Sequence, residues 1–244
     1  MIAALRTALA LLFVIISTTL GALVGFPWTW ITGSADGLYA IAMWIARNGL
    51  RLAGVRIQVE GRRINPAETY IFMCNHVSNL DPPILIPALP RRTSVLVKKE
   101  LFQVPILGRA MRLGELVAVD RRNREAALNS MRQAEEAMGR GLNMTVFPEG
   151  TRSRDGHMLP FKKGPFYLAM DSGVPIVPVT ILGSDSLMPK GSPLIHAGTV
   201  RLVFHEPISP KQFGDNDQLI SAIRAAIASA LPPALREADL DPAS

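Results

Sequence analysis

Hydrophobic and polar positions change their period along the chain, and the change divides it. From Thr7 to Ala35 no residue carries a charge, and residues 8–26 are largely apolar. As a helix this run would measure about 29 Å, close to the thickness of a hydrocarbon core. Pro27 follows, then Trp28 and Trp30, residues suited to a membrane–water interface. A second apolar run, residues 38–46, leads into Arg47 and Arg51. It is too short to span a bilayer alone and predicts an interfacial helix or the returning arm of a helical hairpin. Residues 1–54 are therefore expected to anchor the chain to a membrane, either by spanning it or by lying in one leaflet.

After Gly54 short β-branched runs alternate with helical stretches. Residues 55–60 alternate apolar and polar, as a half-buried strand does, and 69–74, 94–97, 116–119, 144–147, 176–181 and 200–204 predict further strands, mostly buried. Helices are expected at 82–88, 104–113, 124–139, 164–172 and 218–231, with Gly141 and Gly173 as C-caps. This alternation predicts an α/β domain over 55–237, with a single mixed, mostly parallel sheet flanked by helices. A tail, 238–244, follows. Functional groups in such sheets gather at the carboxyl ends of strands. His76, Arg121 and Glu149 each follow a predicted strand.

Composition narrows the chemistry. The single cysteine, Cys74, excludes an internal disulfide and a cysteine-rich metal site. The net charge of +6 is concentrated, with 15 Lys/Arg against 8 Asp/Glu between Arg91 and Lys163. Such a field suits an anionic partner: a phosphate-bearing substrate, an acidic lipid surface or nucleic acid. Aromatic residues are only 6 % of the chain, too few to interleave the cations as single-strand binding requires, so no nucleic-acid partner is expected. The four histidines show no ligand spacing, and no metal is expected.

Two segments carry candidate chemistry. In Asn75–His76–Val77–Ser78–Asn79–Leu80–Asp81 an imidazole follows a strand and a carboxylate stands five residues on, before Pro82. Asp81 could cap a helix, or fold back to fix the tautomer of His76 and leave its other nitrogen as a base. In Phe147–Pro148–Glu149–Gly150–Thr151–Arg152–Ser153 a turn is expected to expose a carboxylate, with an arginine able to clamp a phosphate. Glu149 could accept from substrate hydroxyls, Arg152 or Arg121. Phe161–Lys162–Lys163–Gly164 opens a helix beside it.

These two segments and Val174–Pro175–Ile176–Val177–Pro178–Val179, in that order, resemble the ordered motif blocks of the glycerolipid acyltransferase family, its bacterial members in particular. The resemblance implies acyl transfer from acyl-CoA or acyl-carrier protein to the sn-2 hydroxyl of lysophosphatidic acid, with no cofactor beyond that co-substrate. It implies His76 as general base and Asp81 as its orienting partner. Arg121, Glu149, Gly150, Thr151 and Arg152 fall in the acceptor and phosphate blocks, and Pro178 in the block tied to the acyl donor. Membrane lipids are the implied partners, and the cytoplasmic face of the inner membrane is the implied location. One departure stands out: the family has a glycine six residues before its arginine, whereas here Arg121 has Glu115 there and Gly114 one position further back.

Rival readings of the same residues remain. Cys74 could act as a thiol nucleophile with His76, although a lone cysteine in an apolar strand is more often core. Ser78 lacks the surroundings of a hydrolase nucleophile. A different lyso-lipid acceptor, such as a lyso-ornithine lipid, or a non-catalytic lipid-binding role would also use an apolar N-terminus and a basic middle.

Overall fold

The computed structural model describes residues 1–120 and 124–236. Two helices come first, α1 (Ile2–Thr32) and α2 (Asp36–Leu52). α1 continues through Pro27 and stops at Gly33, whose left-handed φ of 68° lets its N–H reach back to Thr29. A methyl group added at Gly21, Gly25 or Gly49 would sit 2.7, 2.8 or 2.9 Å from the side chains of Ile41, Leu38 and Val14. These pairs run in opposite order along the two helices, so α1 and α2 form an antiparallel hairpin in near-backbone contact.

The remaining elements alternate. They are β1 (Val55–Gly61), β2 (Ile71–Cys74), α3 (Asp81–Leu85), β3 (Thr93–Lys98), α4 (Leu107–Leu113), β4 (Val117–Val119), α5 (Arg124–Gly139) and β5 (Asn143–Val146). Then come α6 (Gly164–Ser172), β6 (Ile176–Leu182), α7 (Ser184–Leu187), β7 (Gly198–Phe204) and α8 (Asn216–Ser229). The sheet has the order β1-β7-β6-β2-β5-β3-β4, and among the described residues β6–β7 is the one antiparallel strand pair. It is therefore a single mixed, mostly parallel sheet flanked by helices.

Both faces of the sheet are covered, which explains why the central strands β2 and β5 are buried at every position rather than alternately. Phe72 and Cys74 point into one core with Leu50, Leu85 and Val179. Their neighbours Ile71 and Met73 point into the other, with Phe166, Ile176 and Ile223.

Prolines account for two departures from the predicted elements. The helix expected from 104 begins only at Leu107, because Pro105 has no N–H to donate and Ile106 takes a left-handed φ of 63°. The helix at 82–88 is split, α3 giving way to a 3-10 turn at Ile86–Ala88 around Pro87. Asp81 is not the helix cap but a residue of the first turn, and Leu80 precedes it without a capping side chain. Gly173 ends α6 in the left-handed region, with φ 67°.

The hairpin is fastened to the domain near both of its ends. Thr7 Oγ1 accepts from the Ile195 N–H at 2.9 Å, and the Arg109 guanidinium lies over the Phe26 ring at 5.1 Å. Leu9, Leu12, Ile16, Leu20 and Leu23 remain exposed along α1.

Candidate active site

β2 and β5 are parallel neighbours, Met73 opposite Val146, so the segments leaving their carboxyl ends emerge side by side. That adjacency brings His76 against the turn 147–153. The His76 N–H donates to Glu149 Oε1 at 2.8 Å, and the His76 carbonyl accepts from the Ser153 N–H at 2.8 Å. Its ring stacks on Phe147 with centroids 4.3 Å apart. On the other side Asn75 continues the sheet with its side chain, donating to the Ile181 carbonyl at 2.9 Å and accepting from the Ile181 N–H at 2.8 Å. The backbone that carries the imidazole is thus tied to the 147–153 turn on one flank and, through the Asn75 side chain, to β6 on the other.

Asp81 turns back towards this loop. Its Oδ2 lies 2.7 Å from His76 Nδ1 and accepts from the N–H groups of Val77 and Ser78, each at 2.8 Å. Its Oδ1 accepts from the Ser184 hydroxyl. A fully buried carboxylate needs such donors to stay ionised. As an ionised group it only accepts, so the proton between it and His76 belongs to Nδ1. Nε2 then carries a free lone pair, on a ring that is 15 % exposed. No sequence motif marks Ser184, which stands 103 residues away at the start of a one-turn helix after Gly183.

Glu149 corrects an expectation. The turn does not expose its carboxylate; Glu149 is 2 % exposed. Oε1 takes the His76 N–H and Oε2 the Leu159 N–H at 3.1 Å, so the carboxylate ties the His76 loop to the segment before α6. Neither oxygen bonds Arg152. The reason is local: Gly150 adopts φ 71°, which reverses the chain just after Glu149 and leaves its side chain pointing inward.

Burial pushes the Glu149 carboxyl up to about 7, helped by the charge of Asp81 and opposed by the two main-chain N–H donors and Arg224. From about pH 4.5 to about pH 7 the folded protein therefore keeps a proton that the unfolded chain has lost. Stability is fully present below the unfolded value and falls as pH rises through the folded one. The loss across that window amounts to about 3 kcal/mol. Glu149→Gln should flatten this dependence in urea melts taken at about pH 5 and about pH 8. An unchanged slope in the variant would assign the titration to another group.

The other expected site residues fall as follows. Gly150 and the exposed Thr151 form the turn itself. Arg152 is half-buried, and its guanidinium meets no carboxylate among the described residues. Its carbonyl accepts from Lys190 Nζ at 2.6 Å, a lysine in a Pro-Lys-Gly turn that no motif flagged. Pro178 is buried in mid-strand opposite Met73, and its carbonyl accepts from the His205 N–H at 3.0 Å. Arg121 lies outside the described residues.

Position 115, where the family resemblance sets a glycine, has φ 59°, a conformation that glycine adopts without strain. Glu115 holds it with its carboxylate shared between Arg92 at 2.6 Å and Arg140 at 2.7 Å. The residue at this position is therefore a glutamate in a left-handed conformation that glycine would adopt more readily.

The two rival nucleophiles are disposed of by their surroundings. Cys74 has no exposed surface, and burial pushes its thiol well above its ordinary value, so a thiolate is suppressed. The Ser78 hydroxyl is spent on the Met188 carbonyl at 2.8 Å.

An apolar groove of about 440 Å³ runs between α1, α2 and the domain. Asn79 and Leu80, immediately beyond the His76 loop, line it at one place and Phe26 and Ile106 at another. The arrangement brings together an imidazole oriented by a carboxylate, a guanidinium with no carboxylate partner among the described residues, and a chain-sized apolar cleft.

Residues 56–182 match the model of the family described as Acyltransferase. A 1-acyl-sn-glycerol-3-phosphate acyltransferase of Chlamydomonas reinhardtii is 39 % identical over 171 residues, covering 70 % of this chain and 51 % of that protein. The human beta form is 35 % identical over 171 residues, covering 69 % of this chain and 62 % of its own length. A chloroplastic relative from Brassica napus is covered over only 40 % of its length, so the chain spans about half the length of such curated relatives. The crystal structure of the 1-acyl-sn-glycerophosphate acyltransferase PlsC from Thermotoga maritima superposes with a TM-score of 0.79 at 27 % identity, covering 92 % of this chain and 94 % of that one. The matched segment is more than half of the chain and contains His76, Asp81, Glu149 and Arg152 together, and on that ground the protein belongs to the acyltransferase family.

Proposed function

We propose that the protein transfers a fatty acyl group from acyl-CoA or acyl-carrier protein to the sn-2 hydroxyl of lysophosphatidic acid, forming phosphatidic acid. The observation that carries this reading is the His76–Asp81 pair, with Nε2 left basic beside an apolar groove. His76 Nε2 removes the hydroxyl proton as the oxygen attacks the thioester carbonyl. The tetrahedral intermediate collapses with loss of the thiolate, which recovers the proton from the imidazolium. Asp81 stabilises the imidazolium and takes no proton itself. The acyl chain occupies the groove, and Arg152 binds the acceptor phosphate, with Arg121 as a second cation there.

The hairpin supplies the membrane seat, with α1 lying along one leaflet. Thr7 and Phe26 both touch the domain and are separated by about 28 Å of helix. A perpendicular crossing would carry one of those contacts to the far side of the hydrocarbon core. The exposed leucines of α1 are suited to the acyl region beneath the headgroups. In this reading the domain faces the cytoplasm at the inner membrane.

Purified full-length protein, assayed with labelled acyl-CoA and acyl-carrier protein, should show its highest kcat/KM with lysophosphatidic acid. Preference for a lyso-ornithine lipid, which has no phosphate, would overturn the acceptor assignment. Arg152→Ala should raise the KM for lysophosphatidic acid about tenfold or more, the worth of a charge-assisted contact. The donor KM should stay within about twofold. An unchanged acceptor KM would remove Arg152 from the phosphate site.

A further inference from the structure

Beneath the turn of the helical hairpin is a second cavity, of about 560 Å³, lined by Phe26, Trp30, Ser34, Arg92, Arg109 and Glu115 among others. No residue of 75–81 or 147–153 lines it, so it is separate from the His76 cluster. Its volume is that of a small-molecule site.

The charges around it do not cancel. Arg92 is held by Asp36 at 2.9 Å and Glu115 at 2.6 Å, and Glu115 is also held by Arg140 at 2.7 Å. Two carboxylates therefore meet two arginines, and Arg109 is left over. It is exposed, and among the described residues its guanidinium makes no hydrogen bond or ion pair. Its one contact of note is the Phe26 ring, which supports the cation and leaves its N–H rim open to an oxyanion.

The surroundings identify where that oxyanion comes from. Trp30 is 87 % exposed and Trp28 55 %, both on the last turns of α1. The segment leading into α4 adds exposed Leu101, Val104 and Leu107. Indoles, large aliphatic side chains and one uncompensated guanidinium together match the headgroup layer of a bilayer, where apolar bodies sink and cations meet lipid phosphates.

We propose that this cavity binds the phosphate headgroup of an anionic membrane phospholipid, with Arg109 as its ligand, and so docks the hairpin turn on an acidic membrane surface. The site is distinct from the one that binds the acceptor, and vesicle binding is measured without turnover. Its failure would leave the acyl-transfer reading untouched.

The test is flotation of full-length protein with phosphatidylcholine vesicles, with and without phosphatidylglycerol. Wild type should bind the phosphatidylglycerol vesicles more tightly, and Arg109→Gln should lose about fivefold of that binding. On pure phosphatidylcholine, whose choline neutralises the phosphate charge, the variant should lose less than it does on phosphatidylglycerol vesicles. Arg109→Lys, which keeps the charge, should retain most of the preference. Arg56→Gln, which removes an exposed charge on β1, should retain it fully. An equal loss in Arg56→Gln would reduce the effect to net charge and overturn the site. Inorganic phosphate that displaces the protein from phosphatidylglycerol vesicles, where chloride of equal ionic strength does not, would overturn the lipid as occupant. Matching melting temperatures across the variants exclude misfolding as the cause.

Discussion

His76→Ala is expected to lower kcat by about three orders of magnitude or more, the upper part of the range for a positioned general base. The fold should survive, because what holds this loop is main chain. The His76 N–H to Glu149 and the Ser153 N–H to the His76 carbonyl are both retained in the variant. Asp81 would keep its bonds from Val77, Ser78 and Ser184 and would not become an orphaned buried charge. The lost stacking on Phe147 costs stability on the order of 1 kcal/mol. Single-turnover acyl transfer and a thermal melt on the same preparation check both halves. A variant that keeps a tenth of the wild-type rate would show that the acceptor hydroxyl is activated elsewhere.

Asp81→Asn comes next, with an expected loss of about a hundredfold in kcat or more. Its geometry can be anticipated from the donors that converge on one oxygen. The N–H groups of Val77 and Ser78 force the asparagine to turn its carbonyl, not its amide nitrogen, towards them. That same carbonyl then still accepts from His76 Nδ1, so the productive tautomer is kept and only the countercharge to the imidazolium disappears. Alanine is a worse probe, since it leaves three N–H groups facing a cavity, each costing about 1–3 kcal/mol. If Asp81→Asn runs within a few-fold of wild type, the negative charge is not used in the rate-limiting step.

The sheet and the His76–Asp81 contact were largely legible in the sequence, for reasons that differ. Strands at 71–74 and 176–182 declare themselves because burial on both faces favours runs of β-branched and large apolar residues, broken here by Pro178. His76 and Asp81 are close in sequence, so the four residues between them suffice to turn one back on the other. Ser184 and Lys190 were not legible, because they reach the site only once β6 has paired with β2. Strand order escaped for the same reason: β1 lies at the edge beside β7, a pairing decided by crossovers rather than by local pattern. Glu149 was visible as a residue but not as a buried one. A carboxylate after Pro148 reads as exposed until the left-handed turn at Gly150 and the N–H groups of His76 and Leu159 are known. The departure before Arg121 was visible as a residue type, but not the left-handed φ that Glu115 takes there.

Gly21, Gly25 and Gly49 set more than the contact between two helices. Gly21 and Gly49 also line the apolar groove, so the distance between α1 and α2 and the width of that groove are a single variable. A mutation at any of the three that spreads the hairpin reshapes the groove, and one that tightens the groove must find its room in the hairpin. The two traits are inherited together, and a lineage of such proteins could diversify one of them only by moving the other.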